Sequence, residues 1–350
     1  MDTVMDMPSM TIDPETLKLI AEIDEFKGAW RAFQNLAPER LNILRKVATI
    51  ESVGSSTRIE GVKLTDGEIE RLLSGAGLTT FRSRDEQEVA GYAEAMNLVF
   101  ESFGEIAVTE NHIKQLHQIL LKHSSKDNRH RGEYKKLSNN VEVFDADGKS
   151  VGVIFETATP FETPRKMREL IEWLSRETVE GRHHILLLIA IFVAHFLAIH
   201  PFQDGNGRLS RILTTLLLLR AGYLYVPYAS LERIIEENKD KYYLSLRKAQ
   251  DTLYTNNRQI GLWVKFFLKS LKKQTQVLER KLQGEKDMLS LPKLSQAILV
   301  AAREHGRITV SDVQRLTKTN RNTIKAHLKR LVHNRQLNQE GKGKGTWYRL

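Results

Sequence analysis

The chain has 350 residues, 41% apolar and 27% charged, with no cysteine and a formal net charge of +10. That length exceeds what one core usually supports, so two or three domains are expected, and the missing cysteines exclude disulfides, thiolate metal sites and a cysteine nucleophile. The charge is lopsided: residues 288–350 hold 13 Lys and Arg against 3 Asp and Glu, the entire excess, so a polyanion partner is expected of that end alone.

Residues 1–12 read as a disordered tail without the basic and apolar pattern of a secretory signal, which points to a cytoplasmic protein. Helical periodicity then dominates to about residue 283, with one helical region expected over 13–100 and a core over 101–283. "DPETLKLIAEIDEFKGAWRAF", "PERLNILRKVATIESVG" and "TDGEIERLLSG" each join a capping residue to apolar positions three and four apart. Short alternating runs around Asp145, Asp147 and Gly148 make Val141–Phe155 a hairpin, and Thr163-Pro164 opens the next helix. Ile185–Ile199 is apolar apart from His195 and falls short of the ~18 residues of a membrane span, so it reads as a buried helix with no membrane partner. A second greasy run, "RILTTLLLLRAGY", follows, and "RQIGLWVKFFLKSLKKQTQVLERKLQ" closes the domain with an amphipathic helix. The polar "GEKDMLSLP" makes residues 284–292 the expected linker. The fold class expected is therefore mainly α with one hairpin.

Between the two greasy runs stands "HPFQDGNGRLSR", His200–Arg211. His200, at the end of a buried helix, suits proton transfer near neutral pH, and Asp204 is a hard oxygen ligand of the kind Mg²⁺ takes while it bridges phosphates. Gly205, Asn206 and Gly207 let successive N–H groups converge at the start of a helix expected at about Arg208, forming an anion nest. Arg208 and Arg211, three apart on one face, can grip phosphate oxygens. Base, metal ligand, cradle and paired arginines point to phosphoryl or nucleotidyl transfer.

Over about residues 40–270 the chain resembles the Fic family (filamentation induced by cAMP), whose complete signature is His-Pro-Phe-x-Asp-Gly-Asn-Gly-Arg-x-x-Arg, as in His200–Arg211. Its commonest members transfer AMP from ATP to a hydroxyl of a target protein. The resemblance implies that His200 deprotonates a Ser, Thr or Tyr hydroxyl and that Asp204 holds Mg²⁺ on the α- and β-phosphates. It implies too that residues 205–207 cradle those phosphates, that Arg208 and Arg211 bind the β- and γ-phosphates, and that Leu209 and Ser210 lie in the nucleotide-binding stretch. Phe202 is expected as the apolar anchor of the loop. Residues 101–283 would be the catalytic core, and Val141–Ala158 the flap that covers the nucleotide and pairs with a target segment, with Thr157 and Ala158 beside the nucleotide. "KYYLSLRKAQ" is similar to the family's adenine-side helix, making Tyr243 and Gln250 candidates for the adenine pocket. The intact glycines and asparagine favour AMP transfer over phosphate transfer.

"SSTRIEG" resembles the family's inhibitory motif, with Ser56 and Glu60 four apart on one helix face. The resemblance implies that Glu60 pairs with Arg211 and blocks placement of the γ-phosphate, in a helix within 13–100. Removal of AMP by the same site is a role the sequence leaves open.

Residues 293–350 fit a winged helix-turn-helix: helices over "LSQAILVAAREHG", "ITVSDVQRLT" after a short strand, and "NRNTIKAHLKRLVHN", then a wing in "LNQEGKGKGTWYRL". Ile324, Leu328 and Leu331 form the apolar seam of the third helix. Arg321, Lys325 and Lys329 lie off it and, with Lys342 and Lys344 of the wing, are the DNA-binding candidates. Two readings stay open: a Mg²⁺- and ATP-dependent adenylyltransferase acting on a hydroxyl-bearing protein, and a DNA-binding regulator whose nucleotide site senses ATP. The oligomeric state, a homodimer included, is not specified.

Overall fold

The structure is a computed structural model that describes residues 12–33, 38–75, 81, 83–144, 150–253, 259–289 and 291–350. It divides into two compact units, Met1–Val277 and Leu278–Leu350.

The first unit is built from helices α1 (Pro14–Phe33), α2 (Pro38–Ile59), α3 (Asp66–Ser74), α4 (Arg84–Ser102) and α5 (Glu110–Leu120), then strands β1 (Val141–Phe144) and β2 (Ser150–Phe155). Helices α6 (Thr163–Glu180), α7 (Ile185–Ile199), α8 (Asn206–Arg220), α9 (Leu231–Glu237), α10 (Lys239–Gln250) and α11 (Ile260–Leu289) follow, α11 running on past the division between the units. The fold is thus mainly helical with a two-stranded antiparallel hairpin, Val141 standing opposite Phe155 and Phe144 opposite Ser150. The turn expected at Asp145, Asp147 and Gly148 lies outside the described residues, as does the expected tail up to residue 11.

Every residue of α7 from Leu186 to Ile199 is buried, as an all-round apolar helix must be. It is the centre of the unit, with α6 and α8 against it and the Trp263 indole of α11 donating to the Ala190 carbonyl at 2.7 Å. Among the described residues no helix is long and apolar enough to cross a membrane.

Two packing features set the surroundings of the 200–205 loop that joins α7 to α8. Gly91 brings α4 directly onto the end of α5, where a methyl group would overlap the Leu120 carbonyl oxygen. On α5, one turn earlier, His117 is fully buried and stacks on Phe202 at 3.9 Å between ring centroids. The Gly132 N–H donates to His117 Nδ1 at 2.8 Å, which leaves the proton on Nε2 to donate to the Asp204 carbonyl at 3.0 Å. Burial pushes this imidazole down to about 4, so it stays neutral.

The end of α2 is clamped as firmly. Arg58 forks onto Glu236 of α9 at 2.7 and 3.1 Å and reaches Asp66 at 2.9 Å, while Lys239 caps the helix at the Ile59 carbonyl, 2.8 Å away. Thr65 and Glu68 form a reciprocal capping box that starts α3 immediately afterwards.

The second unit contains the last turns of α11, then α12 (Lys293–His305), α13 (Val310–Thr317), α14 (Arg321–His333) and an antiparallel pair, β3 (Asn338–Glu340) and β4 (Trp347–Arg349). Ile308 exchanges backbone bonds with Tyr348 at 2.9 and 2.8 Å, adding a one-residue bridge to the hairpin. Its core joins Ile298, Ala302, Val313, Ile324, Leu328, Leu331 and Leu337. Residues 284–289, expected as part of a linker, continue α11 instead. Glu, Lys, Met and Leu are good helix formers that outweigh Gly284 and Asp287, and the strong breaker Pro292 comes only afterwards, so polarity alone misplaced the stop.

Gly91→Ala should cost about 2 kcal/mol or more of unfolding free energy, because backbone rather than a side-chain tip stands in the way. Urea denaturation of the two proteins measures it, and equal midpoints would contradict the close packing of α4 on α5.

Candidate active site

The loop is tied down from both sides. His200 ends α7 in the left-handed region (φ 52°), its N–H bonded to Phe196, and Pro201 forbids further helix. Phe202 is fully buried, and its backbone is bracketed by Asn206: the Asn206 amide oxygen accepts from Phe202 N–H at 2.9 Å while its NH₂ donates to Phe202 O at 2.6 Å. The Asn206 side chain therefore braces the loop and does not line the cradle. Gly205 (φ 80°) opens α8, which starts at Asn206, two residues before the expected Arg208.

The imidazole of His200 keeps only a long contact, 3.4 Å, from Nδ1 to the Leu197 carbonyl. A carbonyl can only accept, so the proton sits on Nδ1 and Nε2 carries the free lone pair. Burial, with the Lys135 ammonium adding to it, pushes His200 down to about 4, which makes it neutral at neutral pH and a weaker base than the sequence suggests.

Lys135 itself is buried and its three hydrogens are all placed: on Asn139 Oδ1 (2.7 Å), Thr157 Oγ1 (2.8 Å) and the Ile199 carbonyl (3.1 Å). Burial lowers it to about 8. Asn139 also donates to Phe202 O at 2.6 Å, so the root of the hairpin is stitched to the loop through Lys135, Asn139 and Thr157. Ala158, next to Thr157, is buried.

The two arginines of the motif have different partners. Arg208 is 2% exposed; its Nη1 donates to Glu88 at 2.8 Å, its Nη2 to Asp204 at 3.1 Å, and its buried Nε has no acceptor among the described residues. Arg211 is equally buried and takes Ser56 twice, through Oγ (2.8 Å) and the carbonyl (2.9 Å), and Glu60 Oε1 at 2.7 Å. Burial would lower the Arg211 guanidinium, but Glu60 together with the Tyr242 and Tyr92 hydroxyls outweighs it and the net shift is upward. Glu60 stands just past α2 and directly over Gly207, where a methyl group would collide with its carboxylate. One carboxylate thus covers both the glycine of the cradle and the second arginine.

Asp204 faces Arg208 on one side and Arg84, 3.7 Å away, on the other. Burial raises its carboxyl, but Arg208, the Gly205 N–H, Lys126 and Arg84 together hold it below the ordinary value. Among the described residues no three His, Asp or Glu groups converge to hold a metal unaided. A lone, partly exposed carboxylate beside an anion cradle suits Mg²⁺ that arrives with phosphate ligands, so the residues fit the cation.

Leu209 is fully buried and Ser210 turns back to Gly207 O at 2.7 Å, so neither side chain faces the site. On α10, Tyr243 is half-exposed and raised by burial and the nearby Glu60 charge, while Gln250, two turns on, is buried. Tyr242, next to Tyr243 and not singled out in the sequence, is buried and packs edge-on to Trp263. Glu88, Arg84, His117, Lys135 and Asn139 were likewise unmarked; a capping Ser83 and a lone Glu in a helix carry no chemical signal. A cavity of about 670 Å³ lined by Leu174, Thr178, Ile185 and Leu217 lies at the far ends of α7 and α8 and shares none of these residues.

In the second unit, Arg321, Lys325 and Lys329 are exposed on α14 and Lys342 on the hairpin connection; the side chain of Lys344 is outside the described residues.

The Fic/DOC family profile matches residues 107–218. The protein adenylyltransferase Fic of Drosophila willistoni is 29% identical over 236 residues, 66% of this chain and 43% of that protein. A probable protein adenylyltransferase of Aquifex aeolicus is 34% identical over 101 residues, 29% of this chain and 28% of that one. The chain thus spans less than half the length of these curated relatives. A Fic family protein from Desulfovibrio desulfuricans G20 shares the fold with a TM-score of 0.61 at 24% identity, over 99% of this chain and 98% of that one. A Fic domain containing signaling protein from Bacteroides thetaiotaomicron also gives 0.61, at 26% identity over 75% and 97%. The braced signature loop, the hairpin stitched to it and these likenesses agree: residues 107–218 match the Fic/DOC family, and the chain is similar to known Fic adenylyltransferases.

Proposed function

We propose that the chain is a protein adenylyltransferase that moves AMP from ATP to a Ser, Thr or Tyr hydroxyl of a target protein and is restrained by Glu60. The observation that carries this is the Glu60 carboxylate seated over Gly207 and on Arg211, the position an anionic phosphate needs. The acceptor hydroxyl gives its proton to His200 Nε2, its oxygen bonds to the α-phosphorus, and the bond from that phosphorus to pyrophosphate breaks. Nδ1, held on Leu197, keeps the ring in the tautomer that can accept. The backbone at Gly205–Gly207 and the start of α8 face the phosphates, and Arg211 takes the terminal one once Glu60 leaves. Mg²⁺ bound through Asp204 would neutralise phosphate charge. The hairpin supplies an edge for an extended target segment, with Lys135 and Asn139 fixing its root relative to His200. Tyr243 and Gln250 are the residues assigned to the adenine side.

We infer further that the second unit is a winged helix-turn-helix that binds DNA. On α14, exposed Arg321, Lys325 and Lys329 stand off a seam of buried Ile324, Leu328 and Leu331, so the helix carries charge that its own core does not use.

Glu60→Gly should raise AMP incorporation from labelled ATP on the order of tenfold, about 1.4 kcal/mol of relieved competition. Labelling equal to that of the parent would remove the brake from the scheme. On that background His200→Ala should lower transfer by roughly 10²-fold or more while ATP still binds; undiminished labelling would favour a nucleotide sensor. Because the base works only unprotonated, the rate should hold from about pH 8 to about pH 5 and fall with a midpoint near 4. For the second unit, binding of labelled duplex should weaken with salt at a log–log slope of roughly −3 to −4, one phosphate each for Arg321, Lys325, Lys329 and Lys342. A flat line, or no binding, would turn the assignment toward protein docking.

A further inference from the structure

Four charged side chains, Asp204 among them, close into a ring. Arg84 and Glu88 stand one turn apart on α4, Asp204 and Arg208 one turn apart across the start of α8, and the two pairs face each other. Positive and negative alternate around the ring. Arg84 Nε meets Glu88 Oε1 at 2.7 Å, Glu88 Oε2 meets Arg208 Nη1 at 2.8 Å, Arg208 Nη2 meets Asp204 Oδ1 at 3.1 Å, and Asp204 Oδ2 lies 3.7 Å from Arg84 Nη2.

The members are not equivalent. The side chains of Glu88 and Arg208 are 9% and 3% exposed, those of Asp204 and Arg84 31% and 55%. A buried guanidinium cannot shed its proton and must be paired, so Arg208 divides itself between two carboxylates. Whatever Glu88 takes of that charge is withheld from Asp204. Arg84 bears on Asp204 from the solvent side through the longest contact of the ring, which costs little to break. A divalent cation needs the same carboxylate oxygens that these two arginines occupy.

We propose that Glu88 and Arg84 are positioning residues that set the affinity of Asp204 for the divalent cation. Glu88 raises it by drawing Arg208 off that carboxylate, and Arg84 lowers it by competing there. The inference rests on Asp204 being the cation ligand of the proposed function. Neither residue bonds a substrate in this scheme; both act through Asp204. The opposite signs are the mark of the device, since simple damage to the fold would weaken binding in both variants.

The test is calorimetric titration of ATP into the full-length Glu60→Gly protein across a series of Mg²⁺ concentrations and in EDTA. Glu88→Gln should raise the Mg²⁺ concentration that gives half the gain in ATP affinity by roughly tenfold, without loss of affinity in EDTA, because Arg208 then turns to Asp204 and to phosphate. Arg84→Ala should lower that concentration roughly threefold, as loss of a half-exposed competitor. If Glu88→Gln does not fold, Arg84→Ala and the charge reversal Arg84→Glu carry the test, with successive decreases expected. Midpoints unchanged in the variants, or moved in one common direction, overturn the inference and leave Asp204 as the ligand. Parent affinity that ignores Mg²⁺ overturns both.

Discussion

A guanidinium shut away from water must have a negative partner, and the site is organised around that requirement at Arg211. Its side chain is 4% exposed, and its hydrogen bonds go to Ser56 and Glu60 of a segment 151 to 155 residues earlier in the chain. The pairing fixes where α2 must end. Arg58 on Glu236 and Asp66, Lys239 on the Ile59 carbonyl and the capping box at Thr65 all hold that end in place, so the partner of Arg211 is delivered by structure and not by a wandering side chain. The same carboxylate then lies over Gly207, and the restraint and the cradle become one object.

Polar groups inside an apolar unit follow the same economy. His117 is neutral because one ring nitrogen accepts and the other donates; Lys135 spends all three hydrogens; Asn206 uses both ends of its amide on one residue. Each satisfied group also fixes a backbone atom of the 199–206 stretch. Core packing on one side and these bonds on the other leave the loop little freedom, which is why His200 can persist in the left-handed region that side chains avoid.

Much of this was legible in the chain. The helix periodicity, the hairpin at Val141–Phe155, the Thr163-Pro164 start and the dense signature are local patterns, and local patterns survive without knowledge of the fold. Ser56 and Glu60 were legible only beside a complete signature. What the sequence hid is long-range: Glu88 meets Arg208 across 120 residues, His117 meets Asp204 across 87, and Asn139 meets Phe202 across 63. None of these residues differs in type from ordinary surface or core neighbours. The continuation of α11 through residues 284–289 was misread because polar composition resembles a linker even where most of the residues, Glu285, Lys286, Met288 and Leu289, favour a helix. Tyr242 was passed over for Tyr243 because adjacent tyrosines on a helix cannot be ranked until one of them is seen to point inward.

Gly91 bonds no charged group of the site, yet it sets the gauge between two of its walls. Glu88 lies three residues before it on α4, and His117 three residues before the Leu120 it rests on, while the Leu120 side chain lies against Gly205. The spacing of the two helices is therefore a dimension of the loop itself, read out by an absent methyl group. A change there would register as altered chemistry at Asp204 although nothing near Asp204 had been replaced.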